Sequence, residues 1–424
     1  MTAAQASPVN VDRQDADAPA VLSVPNSENV ARLRTELLTV FLEQMNLAQV
    51  PYCLLSGYQG YPEAISSDVD FMVDPSDLGR VAPLVLQAAR RCDALLVQAI
   101  RHETGAWYFA VAKQAGCEVA YLHPDCSGDY RRDGRLWLEA QPVLAKRRPW
   151  KAFFVPAIAD EFLYYLIKKT LKQGITTSQW QRTVAMYLSS PQECDKRMRR
   201  YWSDKTVEGL EAALVRQDTG WTRSHLPALL SELRRSAPVE GWKGGMQQRL
   251  QEWRRWLERV AHPTGFSIAV CGGTRQQRTE LVEALETNLK PAFRRTMVCG
   301  AETAGEDLWN TARVWLAKVR STLVIRTPAL AEAGWLAQDE IVVVLVNEKY
   351  QEASDQRTVG AGRVWCALRE GQSLQANVQQ ATRFILEYLA QRLQRRMKLD
   401  QSASLQKMHI DTTQELARGT RSVW

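Results

Sequence analysis

The chain has 424 residues, 45% of them hydrophobic and 24% charged, and a formal net charge of +7. That length exceeds one ordinary core, so two or three domains are expected, and the composition excludes a fibrous or wholly disordered protein. The basic excess is modest and spread over helices such as 196–200 and 392–398, which argues against a nucleic-acid partner and leaves phosphates and anionic surfaces open. In chain order, residues 1–27 are rich in Ala, Pro, Ser, Asp and Asn without apolar periodicity and read as a flexible leader. A helix is expected over 30–47, where Leu33, Leu37, Leu38, Phe41, Leu42 and Met45 keep helical spacing. Strands 52–55 and 69–73, a helix over 77–91, and strands 95–101, 107–112 and 117–122 follow.

The most informative stretch lies between the first two strands. Ser56 and Gly57 form a small-residue turn, and after ten intervening residues comes Asp68-Val69-Asp70. In a strand, side chains alternate, so Asp68 and Asp70 share a face while Val69, Phe71 and Val73 take the other. Read from the residues alone, the pair is either two solvated aspartates at a strand edge or a site for a divalent cation shared with phosphate. The stretch resembles the signature of the polymerase-beta-like nucleotidyltransferases, a small-residue turn followed by Asp-apolar-Asp. That resemblance implies a mixed α/β core, Mg2+, a nucleoside triphosphate such as ATP, phosphate contacts from Ser56 and Gly57, and Asp68 and Asp70 as metal ligands. Tyr58 departs from it, standing where the superfamily has its second small residue. A third acid on a later strand usually completes such a site; Glu118 is the best-placed candidate, with Asp125 just beyond the strand as its competitor.

From about 155 to 260 the pattern is helical. Lys168 and Lys172 lie four residues apart on one helix face. They are either solvated or, as the resemblance implies, turned to the triphosphate as point charges. Helices are expected near 179–188, 191–202, 206–216 and 225–236, then a linker over 238–245, a basic helix over 246–260 and a break at 262–265.

A second motif follows. Strand 266–271, the loop from Gly272 to Thr279 and helix 280–289 have the order of a phosphate-binding loop. Such a loop needs Gly-x-x-x-x-Gly-Lys-Ser/Thr; Gly272 and Thr279 match, while Gln277 replaces the second glycine and Arg278 the lysine. With strands at 321–326, 340–346 and 363–368 and a helix over 374–397, this half resembles the thymidylate-kinase-like P-loop proteins. Arg326 follows Ile325 where that family has an acid before its arginine, and the lid after Asn347 is short. Kinase activity is therefore not expected, although weak nucleotide binding at Gly272, Arg278 and Thr279 stays open. The tail after Lys398 is polar and reads as loosely ordered.

The expected organisation is thus leader 1–27, nucleotidyltransferase-like domain 28–150, helical module and linker 151–262, degenerate kinase-like domain 263–398 and tail 399–424. The pairing of the two halves resembles a bacterial family associated with surface or extracellular polysaccharide production. It implies transfer of a nucleotidyl group to a small acceptor. The rival is a non-catalytic nucleotide-sensing or assembly protein whose 14 tryptophans supply surfaces for a protein partner. The eight cysteines include no Cys-x-x-Cys pair and the five histidines no ligand spacing, so neither zinc nor a Cys–His nucleophile is expected. The longest aliphatic run, Ile341–Val346, is far shorter than a membrane span, and the N-terminus lacks a secretory pattern, so a cytoplasmic protein is expected.

Overall fold

A computed structural model describes residues 28–66, 68–103, 105–132, 134–236, 242–299, 308–327, 341–346 and 364–419. The expected leader, Asn347 and the short lid lie outside these residues. The described chain is a mixed α/β structure with twelve helices, a mixed sheet and a five-stranded all-parallel sheet.

The first part runs α1 (Glu28–Leu47), β1 (Tyr52–Leu54), β2 (Val69–Val73), α2 (Leu78–Arg91), β3 (Leu95–Glu103), β4 (Ala106–Ala115), β5 (Glu118–Leu122) and β6 (Pro124–Ser127). The sheet order is β1-β2-β6-β4-β3, with β5 also on β4. β5 and β6 form one nearly continuous stretch interrupted at His123, both antiparallel to β4. Beyond the interruption, β6 also pairs in parallel with β2, setting Asp125 opposite Asp70. β6 is absent from the strand pattern of the sequence because Pro124 and Ser127 are poor strand formers. Proline is tolerated as the first residue of a strand, where its missing N–H breaks least of the ladder.

The alternation along β2 has the expected sense. Val69, Phe71 and Val73 enter a core with Leu37, Phe41, Val81 and Val85 of α1 and α2, whereas Met72 joins the core of the helical module. That module follows two short hairpins, β7 (Tyr130–Arg132) with β8 (Arg135–Leu138), and β9 (Arg148–Trp150) with β10 (Phe153–Val155), separated by α3 (Ala140–Ala145). It comprises α4 (Ile158–Leu171), α5 (Thr177–Ser189), α6 (Pro191–Met198), α7 (Asp204–Val215) and α8 (Thr219–Ser236). Trp137, Trp180 and Trp202 are buried in its core, so these three serve packing rather than an interface.

The next helix, α9 (Trp242–Ala261), includes four residues of the expected linker. The parallel part runs β11 (Phe266–Gly272), α10 (Arg275–Leu289), β12 (Arg295–Cys299), α11 (Leu308–Val319), β13 (Thr322–Arg326), β14 (Ile341–Val346), β15 (Val364–Arg369) and α12 (Leu374–Gly419). Its sheet order is β12-β13-β11-β14-β15. α12 continues well past the end expected at Met397, because residues 398–418 contain neither proline nor glycine to stop it.

One apolar cluster joins the two sheets. Val97, Ala110, Ala112 and Tyr121 of the mixed sheet pack with Leu281, Leu285 and Leu289 of α10, Ile385 and Leu389 of α12, and the inner face of the parallel sheet. Helices α10 and α12 are thus sandwiched between the two sheets.

Candidate functional site

The turn after β1 is built around Gly57, which is left-handed at φ 77°, a conformation glycine adopts without a Cβ clash. Tyr58 then points into the core. Its ring packs edge-on against Trp150 and Phe153, and its hydroxyl donates to Glu161 and accepts from Arg148 at 3.1 Å. The departure from the small-residue pattern therefore puts no bulk on the open side of the turn. The backbone carries the turn, and the tyrosine anchors it from behind.

Three carboxylates gather where β2 and β6 run side by side. Asp70 accepts hydrogen bonds from Ser56 Oγ and Lys168 Nζ, both at 2.9 Å, and Lys168 also bonds the Tyr164 hydroxyl at 3.1 Å. Burial alone would raise the Asp70 carboxyl, but the Lys168 charge, with the bonds from Lys168 and Ser56, holds it below the ordinary carboxylate range. Asp68 is pushed up to about 6 by burial and by the charge of Asp70. Asp125 is raised as well, by burial and by the charges of both other acids. Lys172, at the exposed end of α4, lowers both Asp68 and Asp70. Lys169 between them falls to about 8 through burial and crowding by Lys168, Lys172 and Arg182, so the acids face a dense cluster of cations.

Glu118 is not brought to this site. It opens β5 at an exposed position opposite Ala115, whereas Asp125 lies opposite Tyr108. Seven residues of extended β4 separate the two levels, roughly 23 Å at the rise of a strand. The neighbouring acid with access to Asp70 is Asp125.

Two histidines that sequence spacing set aside also stand here. His102 Nε2 lies 3.6 Å from Asp125 Oδ1, and His123 Nδ1 lies 3.8 Å from Asp68 Oδ1. The His123 ring is stacked between Tyr108 and Tyr121, and its Nε2 is 2.9 Å from the Pro291 carbonyl. A carbonyl can only accept, so Nε2 carries the proton and Nδ1 presents its lone pair toward Asp68. Burial, followed by the charge of Arg34, lowers His123 to about 4; burial with Arg294, Arg259 and Arg255 does the same for His102. Both rings are neutral near neutral pH. The histidines come from different strand ends, so no sequence spacing announces them.

Among the described residues, no three His, Cys, Asp or Glu side chains form a ready metal cage. The donor set is nevertheless of the hard, anionic kind that suits magnesium, which keeps several waters and needs only one or two carboxylates alongside substrate phosphates.

The second motif is closed upon itself. Gly272 and Gly273 are both left-handed, at φ 74° and 57°. A capping box ties Thr274 to Gln277, whose side chain accepts from the Thr274 amide at 2.8 Å. Arg278 donates to the carbonyls of Gly272 and Gly273 at 2.9 and 2.8 Å, and the Thr279 hydroxyl bonds back to Arg275. The guanidinium therefore binds the loop's own backbone. Compared with models of known protein families and with curated proteins, the chain matches none.

Proposed function

We propose that the chain is a magnesium-dependent nucleotidyltransferase-type protein that transfers a nucleotidyl group from a nucleoside triphosphate to a small acceptor, in bacterial surface or extracellular polysaccharide production. The observation that carries this reading is the meeting of Asp68, Asp70 and Asp125 beside the left-handed Gly57 turn, with Lys168 and Lys172 on the same side. Asp68 and Asp125, raised by burial and by like charge, gain most from a divalent cation and would hold it together with Asp70. Such an ion, when bound, activates an acceptor hydroxyl and steadies the leaving pyrophosphate. The lysines supply positive charge for the phosphates, and Ser56 orients Asp70. The link to polysaccharide rests on the resemblance of the paired halves alone. No phosphoryl transfer is proposed for the parallel-sheet half, since Arg278 is committed to the carbonyls of its own loop.

A specific observation favours a second reading, a non-catalytic nucleotide sensor. In both halves a protein cation, Lys168 on Asp70 and Arg278 on the loop, sits where a ligand's charge would otherwise be balanced.

Calorimetric titration with each nucleoside triphosphate and magnesium tests the proposal. Asp70→Asn and Asp125→Asn are expected to weaken binding at least about tenfold, the effect of losing one strong charge contact, while Glu118→Gln leaves it unchanged. Undiminished binding by Asp70→Asn would sink the site. Loss with Arg278→Ala alone would move the nucleotide to the parallel-sheet half, and magnesium-dependent binding without turnover of any sugar-phosphate acceptor would favour the sensor.

A further inference from the structure

Helix α9 turns its apolar stripe to solvent. Met246, Leu250, Trp253 and Leu257 recur at i, i+4, i+7 and i+11 and so share one face. They are 49%, 63%, 64% and 41% exposed, and Trp256, at 53%, flanks Trp253 with ring centroids 6.5 Å apart. The opposite face meets the body through two guanidinium groups: Arg255 donates to the His102 carbonyl and Arg259 to the Arg101 carbonyl. The usual arrangement, apolar side in and charged side out, is inverted. A contiguous apolar patch that contains two tryptophans marks a surface that meets something.

Charge decides what it meets. Arg255 and Arg259 are committed to the body, which leaves the helix Lys243, Arg249 and Arg254 against Glu252 and Glu258, three minus two, a net +1, in a chain of net +7. A second copy would set one cationic helix against another. We propose that α9 is an interfacial helix that lays Met246, Leu250, Trp253, Trp256 and Leu257 into the surface of an anionic lipid bilayer. Tryptophan suits the water–lipid boundary, where its ring is apolar and its N–H stays wet. A helix with tryptophan and leucine along its outer face, on a chain of net positive charge, is of the kind that lies in that plane. Such a helix lies along the bilayer and does not cross it; among the described residues no helix is long and apolar enough to span one. The proposal stands independently of the nucleotide site.

The test is flotation of the full chain with vesicles of phosphatidylcholine plus phosphatidylglycerol, against vesicles of phosphatidylcholine alone. Wild type is expected to float with the anionic vesicles, less with the neutral ones, and less as salt is raised. Trp253→Ser/Trp256→Ser is expected to lower partitioning at least about tenfold, since each ring buries a large apolar area. Both positions are exposed, and circular dichroism checks that the fold is kept; Leu250→Gln gives the same direction if the double variant misfolds. Equal flotation with both vesicle types, no flotation, or variants that float like wild type overturns the proposal. So does a wild-type dimer that the double variant converts to monomer in light scattering, which would assign the stripe to a second copy.

Discussion

At the scale of single residues, Asp68 and Asp70 show how two identical side chains on one strand face acquire different acidities. Asp70 has Lys168 and Ser56; Asp68 has the charge of Asp70 and only partial access to water. Because Asp68 binds its proton more tightly folded (about 6) than unfolded (about 4), its contribution is fully present below the unfolded value and is lost as pH rises through about 6. His102 and His123, lowered to about 4, act in the opposite sense, losing stability as pH falls from about 6.5. The Asp68 effect is therefore read as a difference. In urea melts without metal, Asp68→Asn is expected to gain on wild type as pH rises from about 4 to 7, and saturating magnesium should reverse that order at pH 7. A difference independent of pH would show that Asp68 is not perturbed.

At the scale of elements, the two glycine turns were legible as turns, but not in what they hold. Beside the Gly57 turn, Ser56 donates to Asp70. The Gly272 turn is packed hard against the neighbouring strand: a Cβ there would lie 2.1 Å from the Leu345 carbonyl oxygen, at φ 74°. Gly272→Ala is expected to cost at least about 2 kcal/mol, from strain and displaced backbone, measured by urea denaturation; a loss under about 0.5 kcal/mol would mean that the turn is free to shift. The sequence identified Gln277 and Arg278 as departures from a phosphate loop. That the glutamine caps the helix and the arginine binds the loop's own carbonyls required three-dimensional proximity.

For the whole molecule, the mixed sheet has a core of its own with α1 and α2 and shares a second core with the parallel sheet. α10 and α12 are packed on by both, and across the same junction Tyr121 donates to the Asn288 carbonyl at 2.8 Å while His123 reaches Pro291 at 2.9 Å. The ring that faces Asp68 is thus oriented by the parallel-sheet half. Shared apolar burial of this kind couples unfolding. Scanning calorimetry is expected to show one main transition, and Tyr121→Phe to shift it down as a single peak by the worth of one hydrogen bond, about 1 kcal/mol. Two resolved transitions would mean that the halves unfold independently.

By itself the sequence determined the α/β character, the positions of most helices and strands, the shared face of Asp68 and Asp70, and the mismatches in the second loop. Each of these follows from spacing within one element or from a residue's own stereochemistry. Only the tertiary structure decided that Asp125 rather than Glu118 adjoins the pair, that His102 and His123 stand beside it, that Tyr58 turns inward, and that Trp137, Trp180 and Trp202 are buried while Trp253 and Trp256 of α9 are exposed. Those facts depend on which strand lies beside which and on which helix face finds a partner. Contacts between segments far apart in the chain set them, and local pattern carries no record of such contacts.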